Sequence, residues 1–238
     1  MTKLYSKLAH VYHEMYQSIF DYGREFRRFD SIFKKHACNR VLEIGCGAGD
    51  LAPLFLAGGY DYTGVDVSAE MLRIARSEVP SARFVQGDMR RLSFRRKFDA
   101  VLIGGRSFTY MTTNQDVRSA LQSTGNALKS GGILVFDNFD AEAIFKNLRN
   151  RFHERVVKGS KTFVRQSETS MNLKAGWTWN WNATYIVDDG RRKRTFHDHS
   201  VLRAFTRDEL RLFLVLTGFT PLKSIRRSAT ILIVARRT

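Results

Sequence analysis

Between residues 40 and 136, short apolar runs alternate with stretches in which apolar residues recur every three or four positions. Five of the short runs read as strands: residues 40–44, 62–66, 82–85, 98–103 and 132–136. They are almost continuously apolar, as strands covered on both faces are. The intervening stretches read as helices. One opens at Ser68 and puts Met71, Leu72 and Ala75 on one face. Another spans 116–128 through Val117, Leu121, Thr124 and Leu128, with Gly131-Gly132 as its exit into the fifth strand. Such alternation predicts an α/β fold with a mostly parallel sheet and helices on both faces.

Beyond Phe145 the period changes to two. Residues 155–164, 166–174, 177–187 and 193–205 alternate apolar with polar positions, separated by turns at 158–160, 175–176 and 188–190. They predict an antiparallel β insertion after the fifth strand. Helical spacing returns at Thr206, which with Glu209 has the spacing of a capping box. Gly218 ends that helix, and residues 219–225 and 230–235 read as a closing hairpin. With no repeat and no low-complexity linker, the insertion belongs to one fold. The expected divisions are a helical amino-terminal segment at 1–36, a main domain at 37–150 and 206–238, and the insertion at 151–205.

Composition narrows the class. The 238 residues are 43% hydrophobic, enough for a sizeable core and against disorder. Cys38 and Cys46 are the two cysteines, so no disulfide framework is expected and a reducing, cytoplasmic setting fits. The first twenty residues lack a signal-peptide pattern, and no run approaches the roughly 18 apolar residues of a spanning helix, so neither export nor a membrane is expected. The formal charge is +16, which raises the prior for nucleic-acid or phosphorylated partners without saying anything about fold.

The chemistry is concentrated in Glu43-Ile-Gly45-Cys-Gly47-Ala-Gly49-Asp50, at a strand-to-helix junction. Glycines there allow a sharp turn and let a ligand touch the main chain. The Gly-x-Gly-x-Gly spacing differs from the Gly-x-Gly-x-x-Gly of dinucleotide enzymes, which disfavours an oxidoreductase. Asp66 ends the second strand, where a carboxylate can accept two ribose hydroxyls, and Asp88 follows the third, where one can take an exocyclic adenine amine. Three turns at the carboxyl ends of neighbouring parallel strands describe a nucleoside pocket.

Together with Val65-Asp66-Val67-Ser68-x-x-Met71-Leu72, Gly87-Asp88-Met89, Phe98-Asp99-Ala100-Val101 and Leu128-Lys-x-Gly-Gly132, this constellation resembles the class I S-adenosylmethionine-dependent methyltransferases over residues 38–137. The resemblance implies a Rossmann-like seven-stranded sheet, S-adenosyl-L-methionine as cofactor, and a binding set of Tyr12, Glu43, Gly45, Gly47, Asp66, Val67, Met71, Asp88, Met89 and Gly104. Gly45 and Gly47 would line the methionine moiety, Asp66 the ribose, Met71 and Met89 the adenine faces, and Asp88 the adenine edge. The chain near Gly104 would pass the sulfonium.

Three segments extend the likeness toward small-molecule N-methyltransferases such as the amino-sugar N,N-dimethyltransferases: Tyr5-Ser-Lys-Leu-Ala-x-x-Tyr12 with Asp21-Tyr22, Arg106-Ser-Phe-Thr-Tyr110-Met, and His199-Ser-Val-Leu-Arg-Ala-Phe205. They imply a lid over the cofactor at 1–36, Tyr110 where some members have His, and an insertion that covers the substrate site and often pairs subunits. Asp137-Asn138-Phe139 and the basic residues 191–194 depart from the family pattern and leave the substrate open.

Methyl transfer asks the protein for orientation and desolvation, with no metal or covalent nucleophile. Tyr5, Tyr110 and His199 are the candidate catalytic residues. A hydroxyl acceptor would need a base, for which His197, His199 and Asp137 are candidates. His197 and His199 share a face but lack a third ligand, so no metal is expected. The tyrosines of residues 5–22 are alternatively packing residues. Trp177, Trp179 and Trp181 alternate on one face, for packing, subunit pairing or substrate enclosure. The leading expectation is a small-molecule acceptor, anionic if residues 191–194 contact it, methylated at an amine nitrogen, in an enzyme able to pair as a homodimer through the insertion. Behind it stand an O-methyltransferase, an RNA or protein methyltransferase suggested by the charge, and a non-catalytic nucleic-acid or partner-binding domain.

Overall fold

The computed structural model describes Tyr5, residues 8–146 and residues 151–238. Ser6 and Lys7 of the amino-terminal motif, and the 147–150 end of the expected main-domain segment, lie outside the described residues.

Alternate residues of the central strands feed two cores. In β1 (Arg40–Ile44), β4 (Phe98–Ile103) and β5 (Leu128–Phe139), Leu42, Ile44, Val101, Ile103, Leu134 and Phe136 face one way. They meet α5 (Asn114–Ala127) and α7 (Arg207–Leu216) through Val117, Leu121, Leu210 and Phe213. Val41, Ala100, Leu102, Ile133 and Val135 face the other way, against α2 (Tyr22–Lys35), α3 (Ala52–Ala57) and α4 (Ala69–Glu78). That two-sided burial is why these strands carry apolar residues at successive positions.

With β2 (Asp61–Asp66), β3 (Arg83–Gln86), β10 (Phe219–Arg227) and β11 (Thr230–Arg237), they form a seven-stranded sheet in the order β10-β11-β5-β4-β1-β2-β3. β3, β2, β1, β4 and β5 are parallel, and β11 runs antiparallel to both its neighbours. The direction of the strand order reverses between β1 and β4, which opens a crevice at their carboxyl ends.

A second, wholly antiparallel sheet has the order β6 (Arg151–Lys158), β7 (Lys161–Met171), β8 (Thr178–Asp188), β9 (Lys193–Arg203). α6 (Ala141–Lys146) leads toward it from β5. The turn from β8 to β9 is fixed by side chains: Asp189 Oδ1 accepts the Arg191 and Arg192 N–H groups at 3.0 and 2.8 Å, and Gly190 takes φ 81°. α1 (Ala9–Tyr16) lies against both units. Leu8 and Met15 pack with Phe163, Tyr185 and Val187 of the second sheet, while Ala9 packs with Ala48, Met71 and Ile74.

Several boundaries differ from expectation, the expected strand 155–164 among them, which is divided between β6 and β7 by the turn at 159–160. α5 stops at Ala127, and β5 begins at Leu128, so the Gly131-Gly132 pair lies inside the strand, beside a register shift against β4. The break near residue 165 is absent: β7 continues through Arg165, which pairs with Glu154 across the ladder. Trp177 precedes β8 and packs on Phe145 with ring centroids 5.4 Å apart, apart from the inward pair Trp179 and Trp181. The capping box at α7 is present, with Thr206 Oγ1 accepting from the Glu209 N–H at 3.2 Å and Glu209 Oε2 from the Thr206 N–H at 3.0 Å. Thr206→Ala should lower unfolding stability by about 1 kcal/mol, read as a reduced urea midpoint at unchanged slope.

Candidate active site

The loop after β1 takes a path that side chains resist. Gly45, Gly47 and Gly49 have φ values of 75, 54 and 78°. A Cβ on Gly45 would come within 2.4 Å of Ser107 Oγ, and one on Gly49 within 2.9 Å of the Phe84 ring. A Cβ on Gly47 would meet nothing within 4 Å. The first and third glycines therefore permit packing, whereas the second faces open space as bare main chain.

Asp66, at the tip of β2, holds this loop. Its Oδ2 accepts the Gly47 N–H at 2.9 Å and its Oδ1 the Ser68 N–H at 2.8 Å. Burial raises its carboxyl pKa, and these backbone donors oppose the rise. Glu43 lies beneath the loop, 5% exposed, and accepts a 2.5 Å hydrogen bond from the Tyr62 hydroxyl. Burial pushes its pKa up to about 8; the charges of Asp50 and Asp66 add to that, and the Tyr62 bond opposes it.

At the far end, Asp88 has a partner that sequence reasoning missed. Arg90 donates through Nε to both Asp88 oxygens at 3.0 and 3.1 Å, and through Nη2 to Oδ2 at 2.6 Å. Its Nη1 reaches Asp116 at 2.8 Å. The guanidinium holds the Asp88 carboxyl below the usual range. Val67 is 46% exposed and Met89 half-buried, while Met71 is buried beside Ala48, with Tyr5 and Tyr12 packed against that cluster. Gly104 is buried at the end of β4, and its carbonyl accepts the Ser107 N–H at 3.1 Å. Ser68 Oγ donates to the Tyr5 carbonyl, bringing the amino-terminal segment onto the start of α4.

Between α1, the turn after β4 and the inner face of the second sheet lies a cavity of about 720 Å³. Tyr5, Tyr12, Tyr16, Tyr110, Trp181 and Tyr185 give it aromatic walls. The Tyr110 hydroxyl donates to Tyr5 Oη at 3.1 Å, joining residues 105 positions apart. Burial, chiefly, raises both phenol pKa values, so both hydroxyls stay protonated at neutral pH. Arg106, in the left-handed region at φ 62°, extends its guanidinium over the rings of Phe20 and Phe139 at 5.6 and 5.4 Å. Arg165 pairs with Glu154 at 2.7 Å, donates to the Tyr16 hydroxyl and lies 5.4 Å from the Trp181 ring centroid.

His199 is not brought to this cavity. Side chains alternate along β9, so Asp198 and Ser200 line the cavity while His197 and His199 face the opposite side of the sheet. There His199 Nδ1 is 2.7 Å from Asn182 Oδ1, and His197 Nδ1 is 3.1 Å from Thr184 Oγ1. The third base candidate, Asp137, accepts the Arg106 backbone N–H at 2.9 Å and has a carboxyl raised by burial. Asp198, Arg106 and the Arg165–Glu154 pair escaped sequence reasoning. For Asp198 the signal was present in the two-residue period of β9, but which parity faces inward depends on how the sheet packs.

A bare-glycine loop after the central strand, a carboxylate clasping it from the next strand tip, and a reversal of strand order beside both define the class I methyltransferase architecture. Residues 41–132 match the family model described as a methyltransferase domain. The putative methyltransferase YqeM of Bacillus subtilis is 31% identical over 166 residues, covering 66% of this chain and 67% of that protein. The dTDP-3-amino-3,4,6-trideoxy-alpha-D-glucopyranose N,N-dimethyltransferase of Streptomyces venezuelae is 34% identical over 97 residues, 41% of each chain. The crystal structure of Streptomyces venezuelae DesVI superposes with a TM-score of 0.86 at 23% identity, over 97% of this chain and 98% of that one, and so shares the fold. This chain belongs to the methyltransferases.

The Glu43 site generates a pH signature. Its folded pKa lies above the ordinary glutamate value of 4.5, so its contribution to stability is complete below that value and is lost as pH rises toward about 8. Glu43→Gln should gain stability relative to the wild type across this window, by up to about 1.4 kcal/mol per pH unit. Urea unfolding of both proteins at acidic and mildly alkaline pH measures the difference.

Proposed function

We propose that this enzyme moves the methyl group of S-adenosylmethionine to an amine nitrogen of a small molecule enclosed in the aromatic cavity. The observation that carries this reading is the Tyr5–Tyr110 hydroxyl pair, held protonated among aromatic rings beside the turn that follows β4. Such hydroxyls orient an acceptor but do not take its proton at neutral pH. An amine offers a lone pair once its ammonium proton has left to solvent, before the acceptor is enclosed; a hydroxyl acceptor needs a base within the cavity, and the imidazoles face away. The name of the Streptomyces venezuelae relative, an N,N-dimethyltransferase of an amino sugar, supports the same choice.

The residues fit the donor. The open face of Gly47 and the neighbouring Gly45 offer main chain to the methionine moiety. Asp66, whose oxygens each accept one backbone N–H, retains lone pairs for ribose hydroxyls. Val67, Met71 and Met89 would flank the adenine, and Asp88, shared with Arg90, would meet its edge. Glu43 would brace the loop from below, Gly104 would let the chain pass the sulfur, and Tyr12 would close the site from α1. When bound, the donor supplies a carbon activated by its sulfonium; the protein aligns the acceptor nitrogen with that carbon and excludes water. Arg106, between two rings at the cavity wall, suits an anionic group on the acceptor. A cavity walled by both sheets serves a small molecule better than RNA, despite the +16 charge.

Asp66→Ala should weaken donor binding by about tenfold or more in calorimetry, through both the lost ribose acceptor and the released glycine loop; unchanged affinity removes the ribose role. Tyr110→Phe should lower kcat by about tenfold at unaltered donor affinity. Label transfer from S-adenosylmethionine to a panel of amines and matched alcohols tests the acceptor class directly. The expected result is labelled amines, and label confined to alcohols would overturn the reading.

A further inference from the structure

The turn after β4 carries a cation that methyl transfer itself does not require. Gly105 and Arg106 take φ values of 61 and 62° in succession, a region uncommon for a long side chain. Main-chain bonds hold that conformation: the Arg106 N–H donates to Asp137 Oδ1 at 2.9 Å, and its carbonyl accepts the Thr109 N–H at 3.0 Å. The second bond opens the short helical turn Ser107–Tyr110, so Arg106 and Tyr110 stand at opposite ends of one turn, and both line the cavity. The guanidinium lies over the Phe20 and Phe139 rings, which take its flat faces and leave its N–H edge to donate. Among the described residues no acceptor is bonded to that edge, whereas the cavity's Arg165 is paired with Glu154. Asp137 is occupied by the main-chain N–H and is not part of the cavity wall. The Arg106 charge acts on Tyr12 and Tyr16, and that of Asp198 on Tyr110 and Tyr185, so the cavity has a positive end beside α1.

We infer that Arg106 is a specificity-determining residue that selects acceptors bearing an oxyanion, a carboxylate or a phosphate, and binds that group on the edge of its guanidinium. The inference rests on the reading of this cavity as the acceptor site and adds a second functional group to the acceptor. A guanidinium offers parallel N–H donors whose spacing matches two oxygens of one anion, and ring contacts restrict it to the orientation that such binding needs. An uncharged acceptor gains neither the charge nor the fork. The basic residues 191–194 do not serve this purpose: they lie at and just after the β8–β9 turn and line no part of the cavity. Recognition of the anion would then reside in the turn that follows β4, one helical turn from the Tyr110 hydroxyl.

The test uses the full-length protein saturated with S-adenosylhomocysteine, in about 0.15 M salt, where charges more than about 8 Å apart are largely screened. Cyclohexanecarboxylate, cyclohexyl phosphate and cyclohexanol are titrated in turn, followed by the fluorescence of Trp179 and Trp181 in the cavity wall. Wild type should bind at least one of the anions about tenfold more tightly than the alcohol, and the tighter of the two names the oxyanion. Arg106→Gln should lose that preference while binding S-adenosylhomocysteine and cyclohexanol as before. Arg106→Lys should keep part of it, as a charge without the fork. Arg191→Gln, at the hairpin tip, should leave it unchanged. A preference that survives Arg106→Gln, or one that vanishes in Arg191→Gln, overturns the assignment, as does a wild type that binds neither anion more tightly than the alcohol. None of these probes is an amine, so label transfer confined to alcohols would refute the nitrogen acceptor and leave the Arg106 assignment standing.

Discussion

The carboxylate of Asp66 accepts one N–H from each of two strand tips, and much of the site depends on that pair of bonds. Gly47 supplies one and Ser68 the other. Charge-assisted bonds of this kind are among the stronger ones a protein makes. They hold the bare-glycine loop in its left-handed path and fix the start of α4, whose cap is Ser68 itself. Ser68 also receives the amino-terminal segment through the Tyr5 carbonyl. A few bonds therefore connect the loop, the α4 start and the segment carrying the Tyr5 hydroxyl.

α1 makes a second connection. Gln17, just past its end, reaches Asp50 beside the glycine loop at 3.2 Å, while Glu14 takes Lys161 of β7 at 2.8 Å and Tyr16 accepts from Arg165. The helix is short, and its first turn has no side-chain cap and no acidic residue. Its place comes from tertiary packing against two surfaces, as is usual for helices of this length.

The main sheet was legible in the sequence because its strands are buried on both faces, and continuous apolar runs bounded by glycines leave few alternatives. Boundaries were less legible where glycine serves a different structural purpose. Gly131 and Gly132 read as a helix exit, yet they accommodate a register shift inside β5. At the site, the glycine loop and Asp66 stand out by type and spacing alone. Tyr5 and Tyr110 were each named by resemblance but not their contact, and Asp88 was visible without Arg90, whose guanidinium alters what that carboxylate can offer. His199 shows why the remainder was hidden. Period-two patterning says which residues share a face, but both faces of β9 carry polar groups, and only the packing of α1 selects the inner one.

That parity gives the β8–β9 hairpin an importance beyond its position at the edge of the molecule. Asp189 and Gly190 fix the number of residues in the reversal, and hence which set of β9 side chains turns inward. Lengthening that reversal by a single residue would rotate imidazoles into the enclosure and an acid out of it. The basic tip around Arg191 and Arg192 is thus part of the device that decides whether the pocket meets its guest with a negative charge or with a titratable ring.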